Sequence, residues 1–131
     1  MTEIQQKSPA LAVQSAEEIA VVYAGDYVNK LSGQRIEREC RLKLEAGCRA
    51  LVINFRDTEL VNSIGVSILL GVIDIAEQRK TPVVFSEASH HTVKLFDLLG
   101  LTRHVILAES ESAARATLSE FFATTGPQQG H

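Results

Sequence analysis

Short apolar runs alternate with longer stretches of four-residue periodicity along this chain, which predicts strands and amphipathic helices in turn. Ala10 to Val13 and Ile19 to Tyr23 are two such runs, separated by the mainly polar stretch Gln14 to Glu18, as in two strands of a hairpin. After Gly25-Asp26, Ile36, Cys40 and Leu44 recur every four residues among Arg, Lys and Glu, predicting a helix from about Lys30 to Ala46 that Gly47 ends. The unbroken run Ala50, Leu51, Val52, Ile53 within Arg49 to Phe55 predicts a central strand covered on both faces.

A loop from Arg56 to Val61 then leads to a second helix, beginning near Asn62 or Ser63 and running to about Lys80. Ile64, Ile68, Val72 and Ile75 form one stripe on it, and Gly65, Leu69, Ile73 and Ala76 form another. A face that wide must be buried, and it also predicts self-association as a homodimer. Thr81 to Ser86 reads as the next strand, with Pro82 at its start, where a missing amide hydrogen matters least. A third helix starts near Ser89, carries Val93, Leu95, Phe96, Leu98 and Leu99, and stops at Gly100. His104 to Leu107 reads as a short strand, and Ser110 as the N-cap of a last helix through Phe121. Residues 1–123 thus form a single domain, with residues 124–131 as a flexible tail. The order of elements implies an α/β fold with right-handed crossovers between parallel strands.

Composition narrows the function. With 131 residues the chain builds one core, and its net charge of −3 supplies no basic field for collecting nucleic acid phosphates. The most apolar stretch, Ile64 to Ala76, is interrupted by Ser67, Gly71 and Asp74 and is shorter than the roughly 20 residues a bilayer crossing needs, so no membrane insertion is expected. Met1 to Pro9 is polar, with no apolar run behind a basic start, which predicts a cytoplasmic protein. Cys40 and Cys48 have neither the number nor the spacing of a disulfide framework or zinc site, and Cys40 lies on an apolar stripe as a core residue. The adjacent His90 and His91 cannot share a helix face and read as surface residues. The chain shows no phosphate-binding glycine loop, no assignable base beside Ser63 and no metal-ligand set, so no cofactor and no enzymatic activity are expected.

The informative segment is Leu51 to Gly65, where a buried strand runs through Arg56-Asp57-Thr58-Glu59-Leu60-Val61 into Asn62-Ser63-Ile64-Gly65 at the start of an apolar helix. This resembles the STAS domain of bacterial anti-sigma factor antagonists, in which an apolar strand is followed by an Asp-Ser-x-Gly turn entering an apolar helix. The resemblance continues through Pro82-Val83-Val84-Phe85 and through Val93 to the Gly100-Leu101 pair, and covers roughly Ile19 to Leu118. It implies a small mixed β-sheet with about four helices packed against it. It also implies a partner switch in transcription regulation: Ser63 would be phosphorylated by an anti-sigma factor serine kinase and released by a serine phosphatase. Asp57, Glu59, Asn62, Ser63, Ile64 and Gly65 would border the partner surface, with Asp26 and Asn29 matching a family turn nearby. The chain departs from the pattern at Asn62, which keeps the capping oxygen of the usual Asp and lacks its charge.

The residues alone leave plainer readings open. Ser63, or Asn62 before it, is a suitable helix cap, Gly65 suits close approach by either a partner or the preceding strand, and Asp26 and Asn29 suit an ordinary turn. A non-phosphorylated STAS scaffold, or a subunit of a stress-signalling or lipid-transport complex, is the alternative function.

Overall fold

The computed structural model describes residues 18–129, those beyond residue 123 by backbone alone. Four strands, β1 (Ile19–Tyr23), β3 (Ala50–Asn54), β5 (Val83–Ser86) and β6 (Ile106–Ala108), form one sheet in that order, every pairing parallel. Two further strands, β2 (Tyr27–Val28) and β4 (Leu60–Val61), pair in parallel as a separate ribbon. The helices are α1 (Lys30–Glu45), α2 (Ser63–Gln78), α3 (His90–Leu98) and α4 (Glu111–Gln129), with a 3-10 turn at Leu101–Arg103. The expected strand Ala10 to Val13 lies outside the described residues. The ribbon lay within what the sequence presents as turns and loop, and α4 continues helically to Gln129, past residue 124 where the tail was expected to begin.

Alternation along the strands divides the interior in two. Leu51 and Ile53 of β3, with Val83 and Phe85 of β5, face α1, α2 and Phe96 of α3. Ala50, Val52 and Val84 face Ala114 and Leu118 of α4. Three crossovers stepping the same way across a parallel sheet put α1, α2 and α3 on one side. This two-sided covering explains why all five residues of β3 are buried and why its sequence does not alternate. Phe55, Phe85 and Phe96 meet at ring centroid distances of 4.9 to 5.2 Å at the centre of the larger layer.

Local signals set the helix ends. Ser89 and Ser110 cap α3 and α4 through hydroxyl contacts to the amides of Thr92 at 3.1 Å and Ala113 at 3.0 Å. Gly100 takes a φ of 86°, as its place after α3 requires. In α2 the buried positions are Gly65, Val66, Leu69, Val72, Ile73 and Ala76, which corrects the expected double stripe. At about 100° per residue these share one arc, whereas Ile64 falls well outside it and is 48% exposed, with Ile68 and Ile75 at its margin. The helix therefore has one face against α1 and the sheet, and its first turn looks outward.

Candidate functional site

Both ends of the Ser63 loop are fixed by backbone. Glu59 N and Leu60 N donate to Asp26 O at 2.8 and 3.2 Å, Asn62 N donates to Val28 O at 3.0 Å, and the Thr58 hydroxyl donates to Gly25 O at 2.6 Å. The ribbon β2/β4 thus holds the turn after β1 against the turn after β3, and brings Asp26 to Asn29 beside Asp57 to Gly65. This loop pair sits at the carboxyl end of the parallel sheet, where open α/β sheets present their sites.

Asn62, not Ser63, is the cap of α2. Its backbone is extended (φ −97°, ψ 174°), and its side-chain oxygen accepts from Gly65 N at 2.8 Å. Its amide nitrogen reaches the Tyr27 hydroxyl at 3.4 Å, a partner the sequence did not suggest. Ser63 is the first helical residue, exposed, with its hydroxyl outside the cap. No acidic residue stands in the first turn of α2, so an added negative charge there meets the positive end of the helix dipole unopposed within that turn.

Gly65 has an intramolecular reason to lack a side chain. A Cβ built there would collide with the Val28 carbonyl oxygen, and would lie 2.8 Å from its carbonyl carbon and 2.9 Å from its Cγ1. The approach of β2 to the first turn of α2 requires glycine, whatever binds outside. Asn29 is similarly occupied: its side-chain oxygen accepts from Ser32 N at 3.0 Å, while Asn29 N donates to Ser32 Oγ at 2.9 Å, a reciprocal cap of α1. Asp26, Asp57 and Glu59 are exposed, with Arg56 Nε 3.8 Å from the Asp57 carboxylate.

Exposed apolar side chains occur on the same segments. Tyr27 is 41%, Leu31 79% and Leu60 60% exposed, besides Ile64. Asp26, Tyr27, Asn29 and Leu31 also line a recess of about 600 Å³ together with Ser32, Arg35 and Arg38. Arg35 is anchored, its Nη2 donating to Ala24 O at 2.9 Å and Tyr23 O at 3.2 Å. Single exposed apolar residues are ordinary on a protein surface, but Tyr27, Leu31, Leu60 and Ile64 belong to elements that meet at one loop pair.

At the same end of the sheet, on the α4 side, a polar ring closes that periodicity could not reveal. Asn54 Nδ2 donates to Glu87 Oε2 at 3.0 Å, Glu111 N donates to the same oxygen at 3.1 Å, and the Tyr23 hydroxyl donates to Glu111 Oε1 at 2.7 Å. The Arg56 guanidinium lies 4.8 Å from the Tyr23 ring centroid, and its own amide donates to Asn54 Oδ1 at 2.8 Å. The Tyr23 hydrogen bond holds the Glu111 carboxyl below its ordinary value and, from the other side, raises that of the Tyr23 phenol. Elsewhere Cys40 is wholly buried, and that burial pushes its thiol up to about 12. His90 and His91 are both exposed at the start of α3, and no metal-ligand cluster is found among the described residues. No described helix is long and apolar enough to cross a membrane.

The STAS domain family model matches residues 10–114, and the chain belongs to that family. Several solved structures share the fold. A sulfate transporter family protein from Wolinella succinogenes superposes with a TM-score of 0.69 at 13% identity, over 77% of this chain and 86% of the other. The STAS domain of a SulP transporter from Vibrio cholerae gives 0.68 at 18% identity, over 81% and 85%. The unphosphorylated anti-sigma factor antagonist SpoIIAA of Bacillus gives 0.62 at 13% identity, over 79% and 90%. No curated protein sequence matches the chain.

Proposed function

We propose that this chain is an anti-sigma factor antagonist, a cytoplasmic bacterial phosphoprotein that captures an anti-sigma factor serine kinase and is released from it by phosphorylation of Ser63. The observation that carries this reading is the division of labour at the start of α2: Asn62 makes the cap and leaves the Ser63 hydroxyl exposed and outside it. A phosphate on Ser63 adds about −1.5 to −2 charge, which a helix N-terminus favours by roughly 0.3–1 kcal/mol, so the fold survives modification. Against a partner covering Tyr27, Leu60 and Ile64, the same charge is desolvated, on a loop that already carries the exposed carboxylates of Asp57 and Glu59. A penalty of a few kcal/mol there weakens binding by orders of magnitude, since about 1.4 kcal/mol is tenfold. A serine phosphatase resets the switch, and transcription by the freed sigma factor is the output.

The test is incubation with ATP, magnesium and the anti-sigma kinase of the same organism, followed by intact mass and peptide mapping. One phosphate on Ser63, absent in Ser63→Ala, with kinase binding lost on modification and in Ser63→Asp, is the expected result. Binding that persists unchanged in Ser63→Asp sinks the switch and favours a constitutive STAS scaffold.

A further inference from the structure

Among the described residues two that are not glycine hold a left-handed backbone, Lys80 at φ 58° and Glu87 at φ 60°. Side chains bearing a Cβ adopt this region against a steric penalty, and such an outlier points to a contribution from the side chain. For Glu87 that contribution is the pair of hydrogen bonds to Asn54 and Glu111. Lys80 occupies the turn that ends α2, where its amide donates to Glu77 O at 3.0 Å and Thr81 N donates to Ala76 O at 2.9 Å. Glycine is the favoured occupant of that position, and among the described residues nothing engages the Lys80 side chain.

Lys80 lines a recess of about 260 Å³ at the amino ends of β3 and β5, together with Arg49, Arg79, Thr81, Phe121 and Phe122. Two of the three cations are anchored. Arg79 Nη1 donates to Leu44 O at 3.2 Å, while Arg49 lies 4.1 Å from the Phe122 ring centroid and 3.4 Å from the Glu18 carboxylate. The described lining residues include no carboxylate, in a chain whose net charge is −3. Two guanidinium forks, that of Arg49 shared with Glu18, and the Lys80 ammonium around a small recess suit a multiply charged tetrahedral oxyanion, and the Phe rings offer an apolar wall to an organic substituent.

We propose that this recess binds the phosphoryl dianion of a phosphate monoester, with Arg49 and Arg79 as fixed contacts and Lys80 as the closing one. The site lies at the opposite end of the sheet from Ser63 and does not depend on the partner switch.

Inorganic phosphate and phenyl phosphate are titrated into the full chain by calorimetry and amide NMR, at constant ionic strength set with sodium chloride. Saturable shifts centred on residues 79–82 are expected, with affinity lowered about tenfold in Lys80→Gly and also reduced in Arg79→Gln. Lys80→Gly relieves the left-handed strain, so its Tm stays level or rises, and lost binding is not lost folding. Sedimentation with phosphatidylcholine vesicles, with and without phosphatidic acid, separates the sources: a response to the soluble esters supports a small-molecule ligand, and capture by phosphatidic acid vesicles alone supports a lipid headgroup. No saturable response to any of these probes, or undiminished binding by Lys80→Gly, overturns the site. A fall in Tm with binding intact also overturns it and assigns Lys80 to the helix end instead.

Discussion

Gly65→Ala tests the close approach of β2 to α2 directly. The new methyl would meet the carbonyl oxygen, carbonyl carbon and Cγ1 of Val28, and Val28 is fully buried. Two of those atoms are backbone, so no rotamer change relieves the contact. Overpacking of this kind costs roughly 1–3 kcal/mol, with the upper end appropriate where backbone must shift. Displacing Val28 also weakens the hydrogen bond from Asn62 N to Val28 O, worth about 1 kcal/mol. The helix preference for alanine returns up to about 1 kcal/mol. The expected net loss is about 2–3 kcal/mol, or a fall in Tm on the order of 10 °C for a domain of this size. Calorimetric melting, with urea unfolding to show an unchanged m-value, reads it. Gly71→Ala is the control, because nothing lies within 4 Å of a Cβ there, and it should gain about 0.5–1 kcal/mol. A Gly65→Ala protein melting within about 2 °C of the parent would refute the steric argument.

Three further outcomes follow from geometry already described. Asn62→Ala removes the cap to Gly65 N and should cost about 1 kcal/mol, whereas Asn62→Asp keeps the acceptor and adds favourable charge at the helix start, so urea unfolding should order them Asp, Asn, Ala by stability. Glu111, whose carboxyl the Tyr23 hydrogen bond holds low, contributes stability that is present above its unfolded value and lost as pH falls through the lower folded one; Tyr23→Phe should raise the Glu111 titration midpoint by NMR and flatten the acid limb of the stability curve. Cys40, buried and with its thiol pushed up to about 12, should resist alkylation by iodoacetamide in the native state at neutral pH and react only through the opened population, faster as urea raises that population, as mass spectrometry of quenched samples would show.

Much of the fold was legible because its signals are local. The four-residue spacing of Ile36, Cys40 and Leu44, the serines before α3 and α4, and the apolar run of β3 all report structure within a few residues of themselves. The β2/β4 ribbon was not legible, since strands of two residues carry no period, and its existence depends on a pairing between turns far apart in sequence. Ile64 was misplaced because hydrophobicity marks a residue as apolar without saying which arc of the helix meets the core. At the site, the position of Ser63 could be read, but whether it or Asn62 made the cap awaited the backbone angles. Tyr23 and Glu111, 88 residues apart, and the left-handed Lys80 and Glu87 left no mark in the sequence, because neither a long-range hydrogen bond nor a positive φ has a signature there when glycine is absent.

The two layers over the sheet are unequal, and this grades how the molecule opens. On one side three helices and three interlocked rings cover β3 and β5; on the other, among the described residues, α4 is the one helix resting on Ala50, Val52 and Val84, through Ala114 and Leu118, with Ile19, Val21, Ile106, Ala108 and Phe122 at the margin. Fewer buried residues hold α4 than hold the helices of the opposite layer, and its first turn is tethered by Glu111 to Tyr23 and Glu87. Amide protons of α4 should therefore exchange through a partial opening that advances from Phe122 back toward Glu111, and those of β3 should wait for global unfolding. Peeling of this kind would bare the α4 face of β3 and β5 while leaving the Ser63 loop, held by β2 and β4 on the other layer, in its native shape.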